Sequence, residues 1–189
     1  MKLQKIIVFM GAPGSGKGTQ TKLLAKRLGY AYFSTGELSR EYAKQDTELG
    51  HRIKDLIDNG IILPIDIIRQ IFIKKFESLT DAPGIILDGY PRTIEQAELL
   101  KDIMAEKGIP RVHAFFLDVD KTQLLHRLSL RAPAQRRADD DPDKVEKRFD
   151  EYINKTAAVK DYYESAGLLS HVNGDQGIEA VHQEIMSKL

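Results

Sequence analysis

The residues that most clearly predict chemistry lie in one glycine-rich segment, Gly11-Ala12-Pro13-Gly14-Ser15-Gly16-Lys17-Gly18-Thr19. It follows the apolar run 6–10 directly and precedes a stretch with helical periodicity, so it connects a strand to a helix. Glycines adopt positive φ readily, which lets backbone N–H groups surround phosphate oxygens at the positive end of the helix dipole. Lys17 adds a cation that can follow a transferring phosphoryl group. The segment therefore predicts a phosphate-binding loop, called the phosphate loop below.

The residue after Lys17 departs from the usual form of such loops. A Ser or Thr commonly follows the lysine and contacts Mg²⁺, whereas this chain has Gly18 and then Thr19. The strand before the loop and the helix after it favour phosphate binding over an ordinary glycine-rich turn. The departure concerns only how a metal ion is held.

Six arginines adjoin predicted elements whose ends converge at one edge of the sheet: Arg40, Arg92, Arg127, Arg131, Arg137 and Arg148. Phosphoryl transfer spreads negative charge over the transferring oxygens, and its catalysis is mostly positioning and electrostatic stabilisation. Any one arginine is most often a solvated charge or a member of a weak ion pair. The set as a whole predicts cations around two polyphosphate groups. Asp88, at the end of an apolar strand, places a carboxylate at the same edge.

Strand-like apolar runs alternate with helix-like apolar stripes along the chain. Strands are predicted at 6–10, 31–33, 85–88, 112–117 and 168–172, and helices at 17–28, 93–107 and 178–189, with further helices after 34, 48, 64 and 120. One long helix is predicted from Pro142 to Gly167, with Val145, Phe149, Tyr152, Ile153 and Tyr163 on one face. This order predicts an α/β fold in which helices cover both faces of a parallel sheet and ligands bind at the carboxyl ends of its strands.

Length and composition limit the number of domains and the kinds of partner. At 189 residues with 42% hydrophobic content, the chain can bury one good core but not two large domains. Its 28 basic and 28 acidic residues cancel, so no overall field attracts nucleic acid or an anionic membrane. The lack of cysteine excludes disulfides and thiolate zinc sites. The first apolar run, 6–10, is too short for a signal sequence or a membrane span. We expect a cytoplasmic protein without nucleic-acid or membrane partners, and the absence of an extra apolar helix face favours a monomer.

With these residues in view, the chain resembles short-lid adenylate kinases of the nucleoside monophosphate kinase family. The resemblance spans nearly the whole chain through G-A-P-G-S-G-K-G-T-Q at 11–20, S-T-G-E-L-S-R at 34–40, D-G-Y-P-R-T-I-E-Q at 88–96, R-L-S-L-R at 127–131, R-A-D-D at 137–140 and the helix of Arg148. It implies a P-loop three-layer α/β fold, with a five-stranded parallel sheet and helices on both faces. It also implies one domain, 1–189, with a helical monophosphate-binding insertion at 34–63 and a short lid at 127–141. So short a lid leaves no room for a metal-bearing hairpin, so no structural zinc is expected.

The resemblance implies reversible transfer of a phosphoryl group from ATP to AMP, giving two ADP, with Mg²⁺ as cofactor and a role in adenine nucleotide balance. The implied ATP-binding residues are Gly14, Ser15, Gly16, Lys17, Gly18, Thr19, Arg127, Arg131 and Gln176. The implied AMP-binding residues are Thr35, Arg40, Ile61, Ile62, Leu63, Gly89, Arg92, Gln96, Arg137 and Arg148. The implied catalytic residues are Lys17, Arg92, Arg131, Arg137 and Arg148, and Asp88 would orient water around Mg²⁺.

Two residues depart from the pattern of this family. Glu37 stands where aspartate is usual, which puts a water-mediated metal contact at that position in question, and Ser39 replaces a usual leucine. Both lie in the S-T-G-E-L-S-R motif of the expected monophosphate-binding insertion.

Two alternative functions stay open from the sequence. A UMP/CMP kinase would share the fold, but Thr35 and Gln96 resemble the adenine-specific members. A nucleotide-dependent switch, a binding protein rather than an enzyme, normally recognises guanine through N-K-x-D. The nearest string, 154–157, lacks the aspartate and lies in a predicted helix. The D-x-x-G spacing at 81–84 precedes its strand instead of following it.

Overall fold

A computed structural model of the chain describes residues 3–79, 81–130 and 142–189. Five parallel strands form one sheet in the order β2-β3-β1-β4-β5. The strands are β1 (Lys5–Met10), β2 (Ala31–Ser34), β3 (Gly84–Asp88), β4 (Arg111–Asp118) and β5 (Leu169–Asn173). Each lies within one residue of its predicted bounds, and the predicted α/β fold with a five-stranded parallel sheet is confirmed.

Nine α-helices lie in the described ranges of the chain. They are α1 (Lys17–Leu28), α2 (Thr35–Tyr42), α3 (Glu48–Asp58), α4 (Ile65–Glu77), α5 (Ile94–Lys107), α6 (Lys121–Ser129), α7 (Pro142–Glu151), α8 (Ala157–Ser165) and α9 (Ile178–Ser187). Within these ranges no helix is both long and apolar enough to span a membrane.

The sheet is buried on both faces because successive side chains of a strand point in opposite directions. Ile6 and Val8 of β1 pack in a cluster with α2, α3, α4, α5 and α8. Ile7 and Phe9 pack on the other face with α1 and α9. A continuous apolar strand such as β1 is typical of a parallel sheet covered on both sides. A third cluster, Leu124 and Leu128 with Val145 and Phe149, joins α6 to α7.

The long helix predicted to open at Pro142 and end at Gly167 is present as one continuous helical segment, Pro142 to Ser165, but it is not α-helical throughout. Between α7 and α8 the chain forms a π-helical turn, Tyr152–Thr156. The wider hydrogen-bonding step of a π-helix rotates the side chains that follow relative to an α-helix. Ile153 lies in this turn and is 59% exposed, so it does not share the buried face of Val145 and Phe149, which are 8% and 7% exposed. A search for apolar residues at the fixed period of an α-helix cannot detect a π-helical turn within it.

Candidate active site

A cleft of about 1100 Å³ opens at the carboxyl ends of the strands. The phosphate loop, Asp88 and the turn after β5 line it, together with four of the six predicted arginines, Arg40, Arg92, Arg127 and Arg148. The other two, Arg131 and Arg137, lie outside the described residues. The described part of the predicted cation set therefore does meet at one edge of the sheet.

The phosphate loop presents backbone N–H groups to this cleft. Gly14 and Gly16 have φ angles of +86° and +93°, which residues with a Cβ rarely adopt. Gly16 precedes α1, and within the described loop and helix neither a capping side chain nor an acidic residue occupies the first turn. The first N–H groups of a helix lack partners within the helix, so this end of α1 is suited to bind an anion.

Lys17 folds back over the loop to which it belongs. Its Nζ donates hydrogen bonds to the carbonyl oxygens of Gly11 and Ala12, at 2.7 and 2.9 Å, and lies 3.2 Å from the Ser15 hydroxyl. These contacts hold the ammonium group inside the curve of the loop, where the oxygens of a bound phosphate would lie. All six implied ATP-binding residues of the loop, from Gly14 to Thr19, line the cleft.

Asp88 lies beside the phosphate loop at the end of β3. Its Oδ2 accepts a hydrogen bond from the Tyr32 hydroxyl at 3.2 Å. A Cβ at Gly18 would lie 3.4 Å from the same oxygen, an ordinary van der Waals distance, so the carboxylate lies close to the start of α1. Burial, with the charge of Asp88 as a further cause, raises the pKa of Tyr32, so this hydroxyl remains a donor at neutral pH. Carboxylate oxygens suit Mg²⁺, which is commonly bound by one or two carboxylates and substrate phosphates. Nowhere in ranges 3–79, 81–130 and 142–189 do three or more His, Asp or Glu side chains form a group able to hold a metal.

A second, smaller pocket of about 80 Å³ adjoins the cleft. All nine implied AMP-binding residues that the structure describes line it: Thr35, Arg40, Ile61, Ile62, Leu63, Gly89, Arg92, Gln96 and Arg148. Arg40, Arg92 and Arg148 line the cleft as well, so they lie where the two spaces meet. Three guanidinium groups at this boundary are suited to bind phosphate oxygens, because arginine forms paired hydrogen bonds with them.

Hydrogen bonds lock the polar side chains of the second pocket together. The carbonyl oxygen of Gly89 accepts from Thr35 Oγ1 at 2.7 Å and from Arg92 Nε at 2.8 Å. The Gln96 side chain, 2% exposed, accepts from the Arg92 backbone N–H at 2.9 Å and donates to the Leu63 carbonyl at 3.3 Å. Residues far apart in sequence thus hold one another in place.

The π-helical turn and its neighbours supply site residues that the sequence did not reveal. Thr156 Oγ1 donates to the Arg92 carbonyl at 3.2 Å, and Glu151 Oε2 accepts from the Ile62 backbone N–H at 3.3 Å. Both side chains line the cleft, as does Tyr152. π-turns are frequent at functional sites, but no motif in the sequence marks this one. The string 154–157, considered above for guanine, lies within this helical turn and the start of α8.

The far end of the cleft is formed by α6 and the turn after β5. Arg127 Nη2 donates to the Gly174 carbonyl at 2.8 Å. Gln176 lines the cleft, and its Nε2 donates to Glu184 at 2.9 Å. Gln20, next after the phosphate loop, donates to the Ile178 carbonyl at 2.8 Å. The implied ATP residues that the structure describes therefore all line the cleft, and none of them lines the second pocket.

Comparison with known proteins agrees with this geometry. The family model for adenylate kinase matches residues 9–168. The adenylate kinase of Bacteroides fragilis is 39% identical over 179 residues, covering 95% of each chain. That of Phocaeicola vulgatus is 39% identical over 181 residues, covering 96% of each chain. That of Brucella melitensis is 38% identical over 185 residues, covering 95% of each chain.

Proposed function

The chain belongs to the adenylate kinase family, and from this membership we propose that it transfers a phosphoryl group reversibly from ATP to AMP, giving two ADP. The family resemblance predicted from the motifs is confirmed, and the chain is a phosphotransferase. The observation that carries the reaction is the junction of a cleft containing a phosphate loop with a second pocket across shared arginines.

ATP binds along the wall formed by the phosphate loop, Arg127 and the turn after β5. The N–H groups at the start of α1 and the Lys17 ammonium hold its phosphates. The guanidinium of Arg127, fixed by its bond to Gly174, covers the base, and the Gln176 backbone lies at the end of the same wall. This assignment is supported by the residues that line the cleft, which include the phosphate loop, Arg127 and the turn after β5.

AMP binds in the second pocket with its phosphate towards the cleft. Arg40 and Arg92 hold that phosphate, since both line the boundary between the two spaces. Thr35, Gln96 and the backbone of 61–63 surround the base. Gly89 completes the pocket, and its carbonyl anchors Thr35 and Arg92.

The reaction occurs where the two nucleotides meet. Lys17 follows the transferring group, and Arg92 and Arg148 stabilise the negative charge that spreads over its oxygens. Arg131 and Arg137 complete this set in our proposal, as residues of a lid at 127–141 outside the described part of the chain. Holding the reactants in line supplies much of the rate enhancement.

ATP would bring Mg²⁺ with it, and Asp88 would help to hold the ion through water. The carboxylate beside the phosphate loop and the Thr19 hydroxyl on the cleft wall are hard oxygen donors that suit this ion. When bound, the metal neutralises charge on the phosphates of ATP.

A coupled assay with ATP, Mg²⁺ and a panel of AMP, UMP, CMP and GMP tests the proposal. We expect clear preference for AMP with ADP as product. A preference for UMP or CMP would contradict the adenine assignment, although the relatives do not favour that alternative. Tight GTP binding without any turnover of monophosphates would instead indicate a switch.

We also propose the organisation and setting of the enzyme. The chain is one domain, 1–189, with insertions 34–63 and 127–141, and α2 and α3 of the first insertion border the second pocket. It acts as a cytoplasmic monomer on its small-molecule substrates, without nucleic-acid or membrane partners. Light scattering after size exclusion checks the monomer, and a stable dimer would contradict it.

A further inference from the structure

The turn after β5, residues 173–176 and called the β5 turn here, is held firmly although it is exposed. The Gly174 N–H donates to the Asp118 carbonyl at 2.7 Å, and its carbonyl accepts from Arg127. A Cβ at Gly174 would collide with Val119, so the turn packs closely against the end of β4. The Asp175 carboxylate accepts from the Asp120 N–H at 3.2 Å. The middle of the turn is thus fixed from the side of β4 and α6.

Glu184 of α9 fixes both ends of the same turn. Its Oε2 accepts from the Asn173 backbone N–H at 3.3 Å and from Gln176 Nε2 at 2.9 Å. Its Oε1 accepts from Lys188 Nζ at 2.6 Å. Mainly through this last bond, the pKa of Glu184 is lowered, so the carboxylate is charged at neutral pH. Hydrogen bonds to a charged acceptor are stronger than those between neutral groups.

The β5 turn belongs to the triphosphate side of the site. Gly174 and Gln176 line the cleft together with the phosphate loop. Among the described residues that line the second pocket, none comes from the β5 turn. Gln20, immediately after the phosphate loop, ties α1 to Ile178 at the start of α9. A nucleotide with its phosphates in the loop therefore extends its base towards this turn.

We propose that Glu184 is a positioning residue for ATP, which holds the β5 turn in the shape that receives the base. The inference rests on the proposed function, since it assigns this end of the cleft to the base of the triphosphate nucleotide. Without Glu184 the turn loses the hydrogen bonds that α9 accepts from Asn173 and Gln176, and only the bond from Gln176 Nε2 to the Asn173 carbonyl, at 3.2 Å, still joins its two ends. Binding of ATP must then order the turn. That ordering weakens the affinity for ATP, while AMP meets an unchanged pocket.

Glu184→Ala tests the proposal through the KM values of the two substrates. We expect the KM for ATP to rise about three- to tenfold, with the KM for AMP and kcat at saturating nucleotide unchanged. Glu184→Gln keeps one acceptor oxygen and should restore part of the affinity for ATP. Glu179→Ala removes the same charge from an exposed position of α9 and should leave both KM values unchanged.

Several outcomes would overturn the proposal. An unchanged KM for ATP in a folded Glu184→Ala enzyme, even with a lower Tm, would leave Glu184 a purely structural role. Equal increases in both KM values would point to a general distortion. If Glu184→Ala does not fold, Glu184→Gln decides by the same criteria. Calorimetric titration of ATP into each variant measures the affinity for ATP without any reaction. It therefore tests the role of Glu184 even if the proposed transfer to AMP proves wrong.

Discussion

The two sides of the site are built in different ways. On the ATP side, nine consecutive residues, 11–19, form the phosphate loop, and backbone groups together with Lys17 make most of the anion site. On the AMP side, the second pocket is assembled from side chains of separate segments. There Gln96 joins Arg92 to Leu63, and Thr35 joins β3 through the Gly89 carbonyl.

This difference predicts different consequences of mutation. A change at Lys17 removes charge from a loop whose shape its glycines and backbone largely determine, so chemistry should suffer more than folding. A change in the second pocket breaks a network of mutually supporting hydrogen bonds, so affinity for one substrate and stability should change together.

The largest effect is expected at Lys17. Lys17→Ala should lower kcat by about a hundredfold to a thousandfold, because the transferring group loses a fixed cation. Steady-state kinetics with ATP and AMP measures the loss, and thermal unfolding checks that the fold persists. Lys101→Ala, which removes an exposed lysine of α5, serves as the control. Near-normal turnover of the Lys17 variant would refute the assigned role.

Arg92→Ala tests the AMP side by removing charge while sparing most of the network. The Gly89 carbonyl keeps its bond from Thr35, so the variant chiefly reports the lost guanidinium. We expect kcat/KM for AMP to fall roughly a hundredfold, with a much smaller change in the affinity for ATP. Arg52→Ala, on the exposed face of α3, is the matched control. Equal losses for both nucleotides would erase the distinction between the two sides.

Gln96→Leu tests the network itself. The variant leaves the Arg92 N–H and the Leu63 carbonyl without the partner that the buried amide supplies. We expect the KM for AMP to rise roughly tenfold and the free energy of unfolding to fall by about 1–3 kcal/mol. Kinetics and urea unfolding measure the two effects. Gln123→Leu, on the exposed surface of α6, should change neither. A loss of stability without any change in KM would separate the network from AMP binding.

The smallest effect is expected at His171, on β5 away from both sides of the site. Its ring bonds to Asp118 at 2.6 Å and to Glu164 at 3.2 Å, and the first of these bonds is the main cause that raises the pKa of His171. A raised pKa in the folded state contributes stability that is complete below the ordinary histidine pKa and is lost as pH rises through the folded value. His171→Gln should therefore cost more stability at about pH 6 than at about pH 9, without changing either KM.

Urea unfolding of wild type and His171→Gln at the two pH values gives the comparison. A stability gap that widens as pH rises would contradict the predicted sign. A change in the KM for AMP would show that this edge of the sheet is coupled to the second pocket.

The features that could be predicted from the sequence are those formed by residues close together in the chain. Strand bounds, α1 and the phosphate loop follow from apolar periodicity and glycine spacing, because these elements form from contiguous segments. Gln96 was implied only by family resemblance, since nothing in its local sequence indicates that it bridges Arg92 and Leu63. Glu151, the last residue of α7, and Thr156 were missed because they border or end a π-helical turn that has no signal in the apolar pattern.

Calorimetric titration of a non-hydrolysable ATP analogue, followed by AMP, tests most directly that two nucleotides bind side by side. We predict one molecule of each per chain, with AMP binding undiminished by the bound analogue. Arg92→Ala should strongly weaken the AMP step and leave the analogue step nearly unchanged. A single nucleotide per chain, or displacement of the analogue by AMP, would contradict the two-pocket site.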